Sequence, residues 1–75
     1  MNTFSPRLSV VIPVYNEEGN LCSLHDEVTQ VLAKIDTMYE IIYVDDGSSD
    51  SSLGILCDIQ ARDSHVKVIQ FRRNF

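Results

Sequence analysis

The chain has 75 residues, and a domain of that size hides only ~60% of the surface its unfolded form exposes, so it is one marginal domain or a piece of a larger one. Apolar residues are 44% and charged residues 23%, which excludes a disordered segment. Six Lys and Arg against eleven Asp and Glu leave a net charge of −5. That sign excludes a nucleic-acid surface built from clustered cations, and the one basic pair is Arg72-Arg73. No apolar run reaches the roughly 20 residues of a membrane span, and Met1 to Arg7 lacks the basic-then-apolar pattern of a signal peptide. Cys22 and Cys57 form no CxxC and have no nearby His pair, so they read as two reduced structural thiols of a cytosolic protein.

Three apolar, β-branched runs predict strands at Leu8–Val14, Glu40–Val44 and Val66–Phe71. The first two are nearly continuous, as in parallel strands. Between them, Leu21, Leu24, Val28, Val31, Leu32 and Ile35 form one helical face, with Asn16 or Asn20 as its cap and Asp26, Glu27, Gln30 and Lys34 off it. Leu53, Leu56, Cys57 and Ile59 predict a second, shorter helix with Asp50 as N-cap. His25, on the first helix, and His65, before the third strand, read as solvated. The order is β-α-β-α-β. Right-handed crossovers stepping in one direction place both helices on one side of the sheet and leave the other side bare. The chain therefore reads as half of a doubly wound, Rossmann-like α/β domain, and its bare sheet face invites self-association or pairing with another chain.

Ligands of open parallel sheets bind beyond the C-terminal ends of the strands, where strand order reverses. Two stretches lie there, Val11 to Glu18 (VIPVYNEE) and Tyr43 to Asp50 (YVDDGSSD). In the first, Pro13, Tyr15 and Glu17 are spaced by two, so an extended backbone aims them one way. Tyr15 offers a flat face for stacking on a ring, and Glu17 an acceptor. In the second, Val44 and Asp46 share one side and Asp45 takes the other. Turn and cap chemistry accounts for Gly47, Ser48, Ser49 and Asp50. Two adjacent carboxylates closing an apolar strand repel each other, which points to a ligand at one of them. Asp46 is favoured, because Val44 beside it walls a flat ring. No glycine-rich dinucleotide turn, triphosphate loop or GxSxG elbow is present. A phosphoacceptor receiver domain would carry its acidic pair after the first strand, not the second.

On LSVVIPVYNEE, EIIYVDDGSSDSS and the terminal FRRNF, the chain resembles the N-terminal part of family 2 glycosyltransferases with the GT-A fold, over residues 8–75 behind an extension of residues 1–7. The likeness is greatest to the enzymes that make polyprenyl-phosphate sugars, such as dolichol-phosphate mannose synthases and bactoprenol glucosyltransferases. The resemblance implies that Pro13, Tyr15, Asn16, Glu17, Val44, Asp45 and Asp46 form the nucleotide-binding set. It implies inverting transfer from a UDP- or GDP-sugar to a polyprenyl phosphate or glycan, with Mg2+ or Mn2+ at a D-x-D expected beyond Phe75. It further implies a fragment inactive by itself, with no catalytic base or metal ligand assigned, from an enzyme acting at the cytoplasmic face of a membrane.

Overall fold

The computed structural model describes residues 6–35 and 37–71. Five elements follow in the expected order: β1 (Leu8–Val14), α1 (Leu21–Leu32), β2 (Tyr39–Asp45), α2 (Ser52–Arg62) and β3 (Val66–Gln70). β2 is one residue longer at each end than expected, and β3 stops one residue short of Phe71. Most of the extension before Leu8, and the basic pair and remainder of the terminal motif after Phe71, lie outside the described residues.

The three strands form one parallel sheet in the order β1-β2-β3. Register puts Val10, Ile41 and Val66 in one row and Ile12, Tyr43 and Val68 in another, all on one face. Both helices cover that face and pack on each other, with Leu21 and Leu32 of α1 and Leu56 and Ile59 of α2 closing a core around Ile41 and Tyr43. No described helix covers the other face, as expected from the crossovers. Val11 is 60% and Ile69 50% exposed there. At the lower end of that face Glu40 is buried between the Ser9 hydroxyl, which donates to Oε2, and the Lys67 ammonium, 2.8 Å from Oε1. Those two donors, Lys67 first, hold the Glu40 carboxyl below its usual range.

The helical faces are narrower than the sequence suggests. On α1 the inner stripe is Leu21, Leu24, Val28 and Leu32, whereas Val31 is exposed and Ile35 lies beyond the helix end. Val31 borders an apolar groove of about 330 Å³ with Val10, Leu24 and Val28, because the three strands do not extend under the whole apolar arc of α1. On α2 the stripe runs Ser52, Leu56, Ile59 at spacings of four and three. Cys57, one step of about 100° off that stripe, is exposed, and so is Cys22. Both free thiols therefore lie at the surface, and Cys57 is off the apolar face of the second helix on which the sequence places it.

His25 is likewise not solvated. It falls four residues after Leu21, hence on the inner stripe, and its side chain is 12% exposed. Its Nδ1 lies 2.7 Å from the Tyr43 hydroxyl and its Nε2 3.1 Å from Asp63 Oδ2. A carboxylate only accepts, so Nε2 carries the proton, and in the neutral ring Nδ1 accepts from Tyr43. Tyr43 buries its ring in the core, where a hydroxyl requires a partner, and His25 supplies it. Burial, aided by the Asp63 charge, pushes the Tyr43 hydroxyl up to about 12, so it stays a donor at all ordinary pH values. His65 is half-exposed and stacks on Tyr39 at 4.3 Å between ring centres while reaching Asp63 Oδ1 at 2.9 Å.

Burial pushes the Asp63 carboxyl up, but hydrogen bonds from the His65 N–H, the His65 ring and the His25 ring outweigh it and hold the carboxyl below its usual range. A depressed carboxylate contributes stability that is complete above its unfolded value of ~3.9 and is lost as pH falls through the lower folded value. Urea midpoints measured from pH 6 down to pH 2 are therefore expected to fall less steeply in Asp63→Asn than in the unaltered protein. Parallel acid limbs for the two proteins would remove Asp63 as a source of acid sensitivity.

Candidate functional site

The upper end of the open face brings the two sequence stretches together. Pro13 of β1, Val44 of β2 and Ile69 of β3 are register partners in one row, so three apolar side chains form a shelf across the sheet. Pro13 lacks an N–H, and its place in the edge strand β1 costs the ladder little. Ile69 belongs to this shelf although the sequence alone did not single it out, because its place beside Val44 is set by the register between β2 and β3.

The Asp46 N–H donates to the Val14 carbonyl at 2.8 Å, which carries the ladder one residue past the end of β2. Alternation then puts Asp46 on the side of Val44 and Asp45 on the other. Asp45 is 1% exposed and faces the helix layer. Its Oδ2 accepts from the Ser48 N–H at 3.4 Å, while Oδ1 has no hydrogen-bond partner among the described residues. The adjacent carboxylates are thus separated by the sheet itself. Asp46 belongs to the open side, and Asp45 is enclosed beneath it.

Beyond β1, Tyr15 is 55% exposed beside the shelf-forming strand end. The period-two alignment of Pro13, Tyr15 and Glu17 does not continue through Glu17. Asn16 adopts a left-handed conformation with φ of 51°, which breaks the extended run. Asparagine tolerates that region because its short amide bonds locally, and here Asn16 Oδ1 accepts from the Ser49 N–H at 2.8 Å. Glu17 is exposed, and its Oε2 accepts from Asn20 Nδ2 at 3.1 Å within the turn that starts α1. Asn20 occupies the cap position of α1 without a side-chain cap bond.

The second loop starts with Gly47 at φ 77°, the positive value expected of it. Ser51, not Asp50, is the N-cap residue of α2. Asp50 sits one residue earlier and still accepts from the Ser52 N–H at 2.9 Å, and from the Glu18 N–H of the first loop at 3.2 Å. Hydrogen bonds from Ser52, its hydroxyl first, outweigh burial and hold the Asp50 carboxyl below its usual range. The N–H groups of Asn16, Glu17 and Glu18 all end on side chains of this second loop. They are not turned outward as in a phosphate-cradling glycine loop.

No three His, Cys, Asp or Glu side chains among the described residues come together to hold a metal ion. Nor is any described helix long and apolar enough to cross a membrane.

The site therefore consists of an apolar shelf, an exposed aromatic ring and a carboxylate at the C-terminal ends of parallel strands, the position where open α/β sheets bind ligands. Comparison with known proteins places the chain. The sequence profile described as Glycosyl transferase family 2 matches residues 9–75. The chain belongs to glycosyltransferase family 2, and its strands and helices are half of a Rossmann-like GT-A domain.

Among its relatives, an uncharacterised glycosyltransferase of Synechocystis is 44% identical over 68 residues, 91% of this chain and 21% of the relative. The glycosyltransferase YkcC of Bacillus subtilis is 40% identical over 67 residues, 89% of this chain and 21% of the relative. An undecaprenyl-phosphate 4-deoxy-4-formamido-L-arabinose transferase of Yersinia pestis is 44% identical over 70 residues, 92% of this chain and 21% of the relative. The chain thus spans about a fifth of the length of the curated relatives it matches.

Proposed function

We propose that these residues are the nucleoside-binding part of an inverting glycosyltransferase that takes a sugar from a UDP- or GDP-sugar and delivers it to a polyprenyl phosphate. The observation that carries this reading is the meeting of Pro13, Tyr15, Val44 and Asp46 at adjacent strand ends. Pro13 and Val44 wall one side of a flat base, Tyr15 lies against its ring, and the Asp46 carboxylate accepts a base or ribose donor. Glu17 lies past the left-handed turn at Asn16 and is proposed to offer its exposed carboxylate to the ribose from the turn that starts α1. Asp45, enclosed beneath the strand end with Oδ1 unpartnered among the described residues, is proposed to support the site from below. The acceptor class rests on the family and on the printed name of the Yersinia relative.

In the proposed reaction an acceptor oxygen attacks the anomeric carbon as the bond to the nucleoside diphosphate breaks, and the contribution of this chain is to bind and orient the donor. Mg2+ or Mn2+ belongs to the proposal at a D-x-D beyond Phe75. The described residues do not form a holder for that ion. The 75 residues alone are accordingly proposed to be inactive, and the natural protein to act at the cytoplasmic face of a membrane. The test is calorimetric titration of UDP and GDP into the natural protein, with one of the two expected to bind.

The exposed Val11 and Ile69 favour a second reading, a non-catalytic half-domain that pairs with another chain through its open face. Sedimentation velocity of the 75-residue chain over a hundredfold concentration range is expected to show association under that reading. A folded chain that sediments as a monomer throughout would end it.

A further inference from the structure

The serines of the second loop read in the sequence as turn and cap residues, and Asn16 as a nucleotide contact. Their bonding is different. The Asn16 N–H donates to Ser48 Oγ at 2.9 Å, while Asn16 Oδ1 accepts from the Ser49 N–H at 2.8 Å and more loosely from the Asp50 N–H at 3.4 Å. One residue on, the Glu17 N–H donates to Ser52 Oγ at 2.8 Å, and Ser52 is completely buried. Each loop therefore donates backbone N–H groups to side chains of the other, across 32 to 35 residues of sequence. Tyr15 immediately precedes this bridge on one loop, and Asp46 precedes it by two residues on the other.

We propose that Asn16, Ser48 and Ser52 are positioning residues that lock the β1–α1 and β2–α2 loops into one body, fixing Tyr15 against Asp46 for the nucleoside. The inference rests on the nucleotide-binding reading above. Its physical content is preorganisation: loops already held in the bound arrangement lose less freedom when the ligand arrives. The left-handed backbone of Asn16 is part of the device, since it turns the N–H groups of residues 16 and 17 toward Ser48 and Ser52. Asn16 spends its side-chain oxygen on the second loop, so it acts through Tyr15 and Asp46 and not on the ligand.

The experiment measures UDP and GDP affinity, and amide hydrogen exchange, in the natural protein. Its variants are Asn16→Gly, Asn16→Asp, Ser48→Ala and the double variant Asn16→Gly/Ser48→Ala. Glycine keeps the left-handed backbone and the Asn16 N–H bond to Ser48 Oγ but removes the Oδ1 acceptor of the Ser49 N–H, whereas aspartate keeps both the acceptor and tolerance of that conformation. Asn16→Gly is expected to weaken the bound nucleotide roughly tenfold, the scale of one or two lost hydrogen bonds, and to speed exchange at Ser49. Asn16→Asp is expected to restore affinity, and the double variant to be weaker than Asn16→Gly, because Ser48→Ala removes a second, separate bond, from the Asn16 N–H to Ser48 Oγ.

Wild-type affinity in Asn16→Gly, with exchange at Ser49 accelerated, would overturn the proposal by making the bridge a purely structural one. A loss in Asn16→Gly that Ser48→Ala does not share in any degree would also overturn it, since Asn16 would then touch the ligand itself. A wild-type protein that binds neither nucleotide would overturn the nucleotide reading, and this inference with it.

Discussion

Asp46→Ala is expected to weaken binding of the nucleoside diphosphate by roughly 10- to 100-fold, the range for losing one hydrogen bond to a charged group. Of the residues at the two strand ends, Asp46 combines a carboxylate with the open side of the sheet. It follows Val44 by two residues, and its N–H bond to Val14 keeps the backbone extended as far as its own Cα. The substitution leaves the apolar core beneath intact, and thermal melts separate any change in stability from the fall in affinity. Asp46→Asn keeps one acceptor oxygen without the charge and is expected to lie between the two. Calorimetry on the three proteins, with thermal melts as the control, checks this. Unchanged affinity in Asp46→Ala would count heavily against the nucleoside site.

The second large effect is on stability. Ile41→Ala is expected to destabilise the natural protein by about 2 to 5 kcal/mol, the usual range for truncating a fully buried Ile to Ala. Ile41 is fully enclosed at the centre of β2, between Val10 of β1 and Val66 of β3 and under the two helices. Small domains are stable by only ~5 to 15 kcal/mol, so this single change removes a large share of the total. The matching control on the opposite face is Ile69→Ala. Half-exposed, it should cost under about 1 kcal/mol where that face stays in water, since little area is withdrawn from solvent. A cost as large as that of Ile41→Ala would mean that another layer covers the open face in the natural protein. Equilibrium urea unfolding of both variants gives the comparison.

Much of the architecture was legible because it depends on short-range pattern. Three apolar β-branched runs, a helical stripe through Leu21, Leu24, Val28 and Leu32, and a glycine where the chain needs positive φ are properties that neighbouring residues impose on each other. The bare face followed too, because crossover handedness holds for almost any chain of this pattern. The candidate site was legible in its two strand ends, where Pro13, Tyr15, Val44 and Asp46 could be picked out by alternation alone. Misjudged residues had partners far away in sequence. His25 looks solvated from its neighbours alone, because its partners Tyr43 and Asp63 lie 18 and 38 residues on. Cys57 was put on the inner face of α2, although the packed stripe passes through Leu56 and Ile59 instead.

The order of the elements, the parallel sheet, the two loops that carry polar chemistry and the family to which they belong are all readable from short stretches of the chain. Local periodicity and backbone stereochemistry are encoded within a few residues, and they suffice for that much. The enclosure of Asp45 beneath the open-side Asp46, the place of Ile69 in the shelf and the ties of Asn16 to Ser48 and Ser49 emerge from the folded chain. Each of those facts depends on register between strands or on hydrogen bonds spanning more than 30 residues. Such pairings are selected by the packing of the whole sheet and its helices, and no local stretch of the chain contains them.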